Sequence, residues 1–109
     1  MIRIGIDFGG TKIEAAALSP TGQVLSRVRT PNPGAYDLAL EAVRDLVAKA
    51  ETEAGASTDR IGVAMAGSIS PRDGLIRGAN STWLNGRAFG VDLEDELGRQ
   101  VRVENDANC

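Results

Sequence analysis

Residues 2–12 read IRIGIDFGGTK, and the fold of the chain follows from this stretch. Apolar side chains at positions 2, 4, 6 and 8 alternate with polar or small ones, which is the period of a β-strand that buries one face. The two glycines that follow break the run. Residues 13–18 and 23–30 also have strand character, and the turn sequence SPTG at 19–22 separates them. Three successive strands joined by tight turns predict an antiparallel meander.

The period changes to that of a helix after the loop sequence PNPG at 31–34. Apolar residues from Tyr36 to Ala54 follow i, i+3, i+4, i+7 spacing, while charged residues fill the opposite side. Gly55 is predicted to end this helix, because glycine adopts the left-handed conformation of a helix C-terminus without steric cost. The sequence therefore predicts one long amphipathic helix after the meander.

The second half of the chain carries weaker signals. A small-residue apolar run at 61–66 predicts a buried strand, and a glycine-punctuated loop is expected from Gly67 to Gly90. Asp92 is predicted to cap a short helix, and residues 101–104 to form a last strand. The order β-β-β-α-β-α-β predicts an α/β fold in which helices pack on a mixed sheet.

The composition excludes several function classes within these 109 residues, which carry a net charge of −3 and no histidine. Serine–histidine and cysteine–histidine nucleophiles and the common histidine zinc patterns are thereby excluded. The lone Cys109 cannot close an intrachain disulfide, so a reducing cytoplasm is expected. Twelve basic against fifteen acidic residues predict no basic face for nucleic acid. Arg3 and Asp7 interrupt the early apolar run, which argues against a signal peptide and a membrane span.

The segment from Asp7 to Lys12 is the first candidate site, and it has two interpretations. Turn rules alone predict a two-residue hairpin at Gly9-Gly10. Alternatively the segment forms a phosphate cradle, in which glycines let backbone N–H groups approach an anion closely, Thr11 offers a hydroxyl and Lys12 a cation. Asp7 would then hold Mg²⁺ or its waters. The residues alone do not decide between the two.

Two further segments carry polar groups. Residues 80–86 (NSTWLNG) place Trp83 among small polar residues, either as the anchor of a long loop or as part of a polyol site, since amides and hydroxyls match sugar hydroxyls. Asp106 follows the last strand, where open α/β sheets place their ligands. It is either a helix cap or a general base that accepts a proton from an alcohol, a task that phosphoryl transfer requires.

Taken in order, these motifs resemble the ROK family of sugar kinases. The resemblance is carried by GGTK at 9–12, GSISP at 67–71, WLNG at 83–86 and ENDANC at 104–109, and it extends from Ile4 to Cys109. Within the family, the stretch NSTWLNG is most similar to the bacterial fructokinase (mannofructokinase) branch.

The resemblance implies the ribonuclease-H-like fold of the actin, heat-shock ATPase and hexokinase group, with two such domains that close on ATP and a sugar. Residues 1–109 would be the N-terminal domain, and the C-terminal domain, with the adenosine pocket and a structural Zn²⁺ motif, would lie beyond them. The implied reaction is ATP- and Mg²⁺-dependent phosphorylation of a hexose, above all fructose, at its 6-hydroxyl. The whole protein would be a cytoplasmic homodimer, and these residues alone would be inactive.

The resemblance also implies a role for each motif residue. Five residues would face the ATP phosphates and Mg²⁺: Asp7, Gly9, Gly10, Thr11 and Lys12. Asp7 would act on the metal indirectly. Five residues would contact the sugar: Gly67, Ser68, Asn80, Asn105 and Asp106. Asp106 would also be the catalytic base that deprotonates the 6-hydroxyl.

Three alternatives stay open. The acceptor would be glucose or an N-acetylhexosamine if the chain follows other ROK kinases. The domain would be a sugar sensor if it belonged to a ROK-type transcriptional repressor, but those carry an N-terminal helix-turn-helix, whereas here Met1 directly precedes the first strand. A metal-dependent nuclease of the same fold would use Asp7 and Asp106 as ligands of two metal ions. The glycine turn and the excess of acidic over basic residues argue against that nuclease.

Overall fold

A computed structural model of the chain describes residues 2–65, 68–69, 76–77 and 88–105. Within these residues the elements are, in order, β1 (Arg3–Phe8), β2 (Lys12–Leu18), β3 (Val24–Pro31), α1 (Tyr36–Ala54), β4 (Ile61–Met65), β5 (Ser68–Ile69), β6 (Ile76–Arg77), α2 (Phe89–Leu97) and β7 (Val101–Asn105). The predicted order is confirmed, with the short strands β5 and β6 added to it. Neither of these helices has the length and apolar character needed to cross a membrane.

Five of the strands form one mixed sheet, in the order β3-β2-β1-β4-β7. The three strands of the meander pair antiparallel, whereas β4 joins β1, and β7 joins β4, in parallel. Strands β5 and β6 pair antiparallel as a separate ribbon, in a segment that the sequence pattern predicts as a loop. The predicted α/β architecture with a mixed sheet is therefore confirmed.

One face of this sheet carries the core, and both helices pack on it. Buried side chains alternate along β1, where Ile4, Ile6 and Phe8 are each at most 3% exposed. From α2, the fully buried Phe89 packs edge-to-face on Phe8, with ring centroids 4.9 Å apart. Aromatic and aliphatic side chains of this size supply most of the apolar area that folding removes from water. The alternation along the strands thus determines which face the helices cover.

The opposite face of the sheet is not covered by any element among the residues that the structure describes. Its central positions hold the small residues Gly5, Ala16, Gly62 and Ala64, which line a shallow depression. Asp7 shares this depression, because the two-residue period of β1 turns its side chain away from the core. The first predicted site residue therefore lies on the open face.

The helix ends confirm one prediction and correct another. Helix α1 ends where predicted, with Gly55 in the left-handed conformation at φ 72°. The prediction that Asp92 caps α2 is wrong, because the helix begins at Phe89, and its N-cap residue is Ala88, which has no capping side chain. Asp92 lies in the first turn, and its carboxylate accepts a hydrogen bond from the Tyr36 hydroxyl. Burial of the Phe89 ring, rather than a capping side chain, holds the start of this helix in place.

A largely buried ion pair ties the end of α1 to the turn before β7. Arg99 donates two hydrogen bonds to the Glu51 carboxylate, with Nη1–Oε2 at 2.8 Å and Nη2–Oε1 at 2.9 Å. The Thr58 backbone N–H donates a third, to Oε2 at 2.9 Å. Burial by itself would raise the pKa of Glu51. The hydrogen bonds from Arg99 and Thr58 and the positive charge of Arg99 outweigh it, and the pKa lies below its ordinary value of 4.5.

Replacing Glu51 with Gln is expected to lower the free energy of unfolding by about 2 kcal/mol at neutral pH, because Arg99 loses its charged partner. Since the folded-state pKa lies below the unfolded one, the contribution of the carboxylate is fully present above pH 4.5. It is lost as the pH falls through the folded-state pKa. Urea unfolding of both proteins from neutral to acidic pH checks this, and the difference between them should close in acid.

The matched control for this pair is Glu96→Gln. Glu96 pairs with the more exposed Arg44, with Nη1–Oε2 at 2.6 Å. Solvent screens an exposed pair, so its loss should cost less than the loss at Glu51. An equal cost at the two sites, or a Glu51→Gln difference that persists in acid, would contradict the assignment of a stabilising carboxylate at Glu51.

Candidate functional site

The parallel strands of the sheet end together at one edge. Phe8 of β1 is in register with Met65 of β4, and Met65 is in register with Asn105 of β7. Because neighbouring strands are about 4.8 Å apart, the ends of β1 and β7 lie about 10 Å from each other. The carboxyl ends of parallel strands are where open α/β sheets bind their ligands. The turn after β1 and the end of β7 are thus neighbours at one candidate site.

The turn between β1 and β2 is closed by a hydrogen bond from the Gly9 N–H to the Lys12 carbonyl, at 2.9 Å. Its two central residues are therefore Gly10 and Thr11, so the hairpin that turn rules predict at Gly9-Gly10 is wrong by one position. Neither glycine has a positive φ. Gly9 is required for a different reason, because a Cβ atom there would stand 2.9 Å from the Lys12 carbonyl oxygen.

Asn32, in the loop after β3, is hydrogen-bonded to this turn through its side chain and its backbone. Its side-chain amide donates to the Gly9 carbonyl at 2.8 Å, and its backbone N–H donates to the Thr11 carbonyl at 2.9 Å. Its side-chain oxygen accepts from the Gly34 N–H at 3.0 Å. The sequence pattern does not predict a role for Asn32, because its partner Gly9 is 23 positions away. The only local signal is an Asn followed by Pro-Gly, which is typical of a side-chain-stabilised turn.

The outer side of the turn presents hydrogen-bond donors and a cation. Gly10, Thr11 and Lys12 are exposed. The backbone N–H groups of Gly10 and Thr11 donate to no group in the part of the chain that the structure describes. Together with the Thr11 hydroxyl and the Lys12 ammonium group, these donors are of the kind that phosphate oxygens accept from. An exposed turn of this composition suits an anion.

Asp7 lies next to this turn, and its antiparallel partner on β2 is Glu14. Two carboxylates therefore share the open face, and an ion pair from Arg27 to Glu14 (Nε–Oε1 3.4 Å) offsets their repulsion. Across the described residues, no group of three or more acidic, cysteine or histidine side chains could hold a metal. Mg²⁺ needs fewer, because it keeps several waters and takes further ligands from substrate phosphates. Asp7, which the sequence predicts as a Mg²⁺ residue, and Glu14, which it does not, both fit a Mg²⁺ that arrives with a nucleotide.

The remaining predicted site residues are placed only in part. Asn105 ends β7 at the carboxyl edge of the sheet, and Ser68 begins β5. Outside the described residues lie Gly67, Asn80, Trp83 and Asp106. The structure thus brings the predicted phosphate-binding residues together with the end of β7, and the predicted sugar contacts stay predictions.

Comparison with known proteins gives close sequence relatives. The chain matches the ROK family over residues 3–109. The N-acetyl-D-glucosamine kinase of Vibrio vulnificus (strain YJ016) is 38% identical over 106 residues, which make up 96% of this chain and 35% of that protein. The N-acetyl-D-glucosamine kinase of Escherichia coli (strain K12 / DH10B) is 37% identical with the same coverage. The chain therefore spans 35% of the length of these relatives.

The solved structures that share the fold include two ROK kinases. The ROK hexokinase from Thermus thermophilus superposes with a TM-score of 0.84 at 34% identity, over 99% of this chain and 36% of that one. A ROK family glucokinase from Streptomyces griseus, in complex with glucose and AMPPNP, gives a TM-score of 0.87 at 29% identity, over 99% and 34%. These similarities confirm the predicted hexokinase-like fold. They do not support the fructokinase branch, since the relatives are named for N-acetyl-D-glucosamine, glucose and hexoses.

Proposed function

We propose, since the chain belongs to the ROK family, that it is the N-terminal domain of an ATP-dependent hexose kinase and that residues 7–12 bind the phosphates of ATP. The observation that carries the proposal is the turn after β1. It presents exposed N–H groups, a hydroxyl and an ammonium group at the sheet edge where β7 also ends. A nucleotide held by this turn and a sugar held at the end of β7 would meet at that edge.

The predicted site residues divide the tasks of the proposed reaction among them. The N–H groups of Gly10 and Thr11 and the Lys12 ammonium group hold the triphosphate, because phosphoryl transfer depends on positioning and electrostatic stabilisation. Asp106 accepts the proton of the sugar 6-hydroxyl while the hydroxyl oxygen bonds to the γ-phosphorus. The bond from that phosphorus to the β-phosphate oxygen breaks, which leaves ADP and a hexose 6-phosphate. A Mg²⁺ held through Asp7 offsets the charge of the phosphates when it is bound.

The acceptor of the phosphoryl group is proposed to be a hexose, with fructose as the specific prediction. Four further residues would hold its hydroxyl groups: Gly67, Ser68, Asn80 and Asn105. The fructose prediction depends on the resemblance of residues 80–86 to the fructokinase branch. N-acetyl-D-glucosamine and glucose are the competing acceptors, because kinases named for them are similar to this chain.

The whole protein is proposed to be a cytoplasmic homodimer. Since the chain spans 35% of the length of its relatives, the adenosine pocket and the structural Zn²⁺ site are assigned to a C-terminal part. That part would also supply the second wall of the sugar site. Residues 1–109 are therefore expected to be inactive by themselves.

A coupled assay of the full-length protein tests this function. ADP release is measured with ATP and Mg²⁺ across a panel of fructose, mannose, glucose and N-acetylhexosamines, with a sugar-free reaction as the control for plain ATP hydrolysis. We expect sugar-dependent ADP release, with the highest kcat/KM for fructose. A higher kcat/KM for another hexose would contradict the fructose prediction and leave the kinase in place. No release with any hexose would contradict the kinase itself.

A further inference from the structure

We propose that Asn32 is a positioning residue for the nucleotide, because it fixes the direction of the Gly9–Gly10 peptide in the turn after β1. The inference rests on the proposed function, since it assigns a partner to the same phosphate-binding turn. Asn32 contacts no reacting atom in this proposal. It acts through the backbone that would hold the phosphates.

The peptide between Gly9 and Gly10 has one polar group on the side of the turn that contacts Asn32, here called the inner side, and one on the opposite, outer side. Its C=O belongs to Gly9 and its N–H to Gly10, and in a trans peptide the two groups point in opposite directions. No peptide bond is cis in the residues that the structure describes. The hydrogen bond from the Asn32 amide therefore holds the Gly9 carbonyl on the inner side, and the Gly10 N–H faces outward, toward solvent.

Holding the Gly9–Gly10 peptide in one orientation matters because glycines flank it on both sides. Glycines on both sides allow a peptide plane to rotate between several orientations at low steric cost. A rotated plane would present the Gly9 carbonyl oxygen to the phosphate, and two partial negative charges would then face each other. Asn32 prevents this by giving the carbonyl a partner on the inner side, and its backbone N–H does the same for the Thr11 carbonyl at 2.9 Å.

The Asn32 side chain is itself held in one orientation. Its oxygen accepts from the Gly34 N–H, while its nitrogen donates to the Gly9 carbonyl. Turning the amide over would set oxygen against oxygen and N–H against N–H, so one orientation satisfies both partners. Asparagine is the residue type that supplies a donor and an acceptor at this separation. Aspartate would supply two acceptors and leave the Gly9 carbonyl without its donor.

Steady-state kinetics of the full-length protein test the inference with Asn32→Ala and Asn32→Asp. Both variants are expected to raise the KM for ATP about ten-fold, the size of effect of one lost hydrogen bond of about 1.4 kcal/mol. The KM for the sugar should change less than about two-fold, because the protein residues that would contact the sugar are not part of this peptide. Titration with AMPPNP should give the same ten-fold weakening without turnover.

Ser26→Ala is the matched control, because Ser26 also donates a side-chain hydrogen bond of 2.8 Å to a backbone carbonyl, that of Ala50. It should lower the unfolding temperature and leave the KM for ATP unchanged. Asn32 variants that raise both KM values together, that only lower the unfolding temperature, or that both fail to fold would overturn the inference. A wild-type protein that phosphorylates no hexose would overturn the proposed function, and the inference would fall with it.

Discussion

Replacing Asp106 with Asn in the full-length protein is expected to lower kcat for hexose phosphorylation by about 10³-fold, while the sugar still binds. Asparagine has nearly the shape of aspartate and keeps one oxygen that accepts a hydrogen bond from the 6-hydroxyl. It cannot accept the proton of that hydroxyl, so the attacking oxygen stays protonated. The loss should therefore fall on kcat, with the KM for the sugar changed much less.

The measurement combines the coupled assay with a sugar titration that follows binding without turnover. Asp95→Asn is the control, since Asp95 is an exposed residue of α2 and the same loss of one carboxylate there should leave kcat unchanged. If Asp106→Asn retains kcat within about ten-fold of wild type, Asp106 is not the base. If the sugar no longer binds, the loss of activity reports lost sugar binding, and the expected separation of kcat from the KM for the sugar is contradicted.

The meander and α1 could be predicted because their signals are local. Alternating apolar residues in β1 and the helical spacing from Tyr36 to Ala54 both arise within a few positions of the chain. The period of two also predicts that Ile6 and Asp7 face opposite sides of the sheet, which the structure confirms. Elements of this length carry enough repeats for the period to be recognised.

The parts that could not be predicted depend on contacts between distant residues. Strands β5 and β6 have two residues each, too few to show any period. The start of α2 is set by packing of Phe89 on Phe8, 81 positions earlier by residue number. The partnership of Asn32 with Gly9 is of the same kind, since no spacing rule connects a loop residue to a turn two strands away.

At the candidate site, too, some features could be predicted from the sequence and others could not. The order of the motifs was sufficient for the family, because short glycine-rich and Asn-Asp motifs at fixed places along a fold are specific together. The turn at 9–12 then shows why glycine stands at position 9, which turn rules explained wrongly. The acceptor sugar is not determined by these features, because related sugars differ by a few hydroxyl contacts. Residues 80–86, which carry the fructose prediction, lie outside the described residues.

Gly9→Ala is expected to lower kcat/KM for ATP by about 10²-fold, because the displacement it forces lies in the phosphate-binding turn. The added Cβ would stand 2.9 Å from the Lys12 carbonyl oxygen, and that oxygen is backbone, which cannot rotate away as a side chain does. The Gly9 N–H donates to the same oxygen at 2.9 Å. The contact can therefore be relieved only by opening the bond that closes the turn, which moves the N–H groups of Gly10 and Thr11.

The matched control is Gly5→Ala, inside β1, where an added Cβ meets nothing within 4 Å in the described structure. The two variants make the same chemical change four residues apart, and both remove the conformational freedom that glycine has in the unfolded chain. Any general effect of alanine is therefore shared by the two variants. The difference between their kcat/KM values for ATP measures the effect of disturbing the turn. Equal kcat/KM values for ATP in the two variants would show that the closed turn is not the phosphate-binding element. A loss confined to Gly9→Ala, with the KM for the sugar unchanged, would support the turn as the nucleotide site.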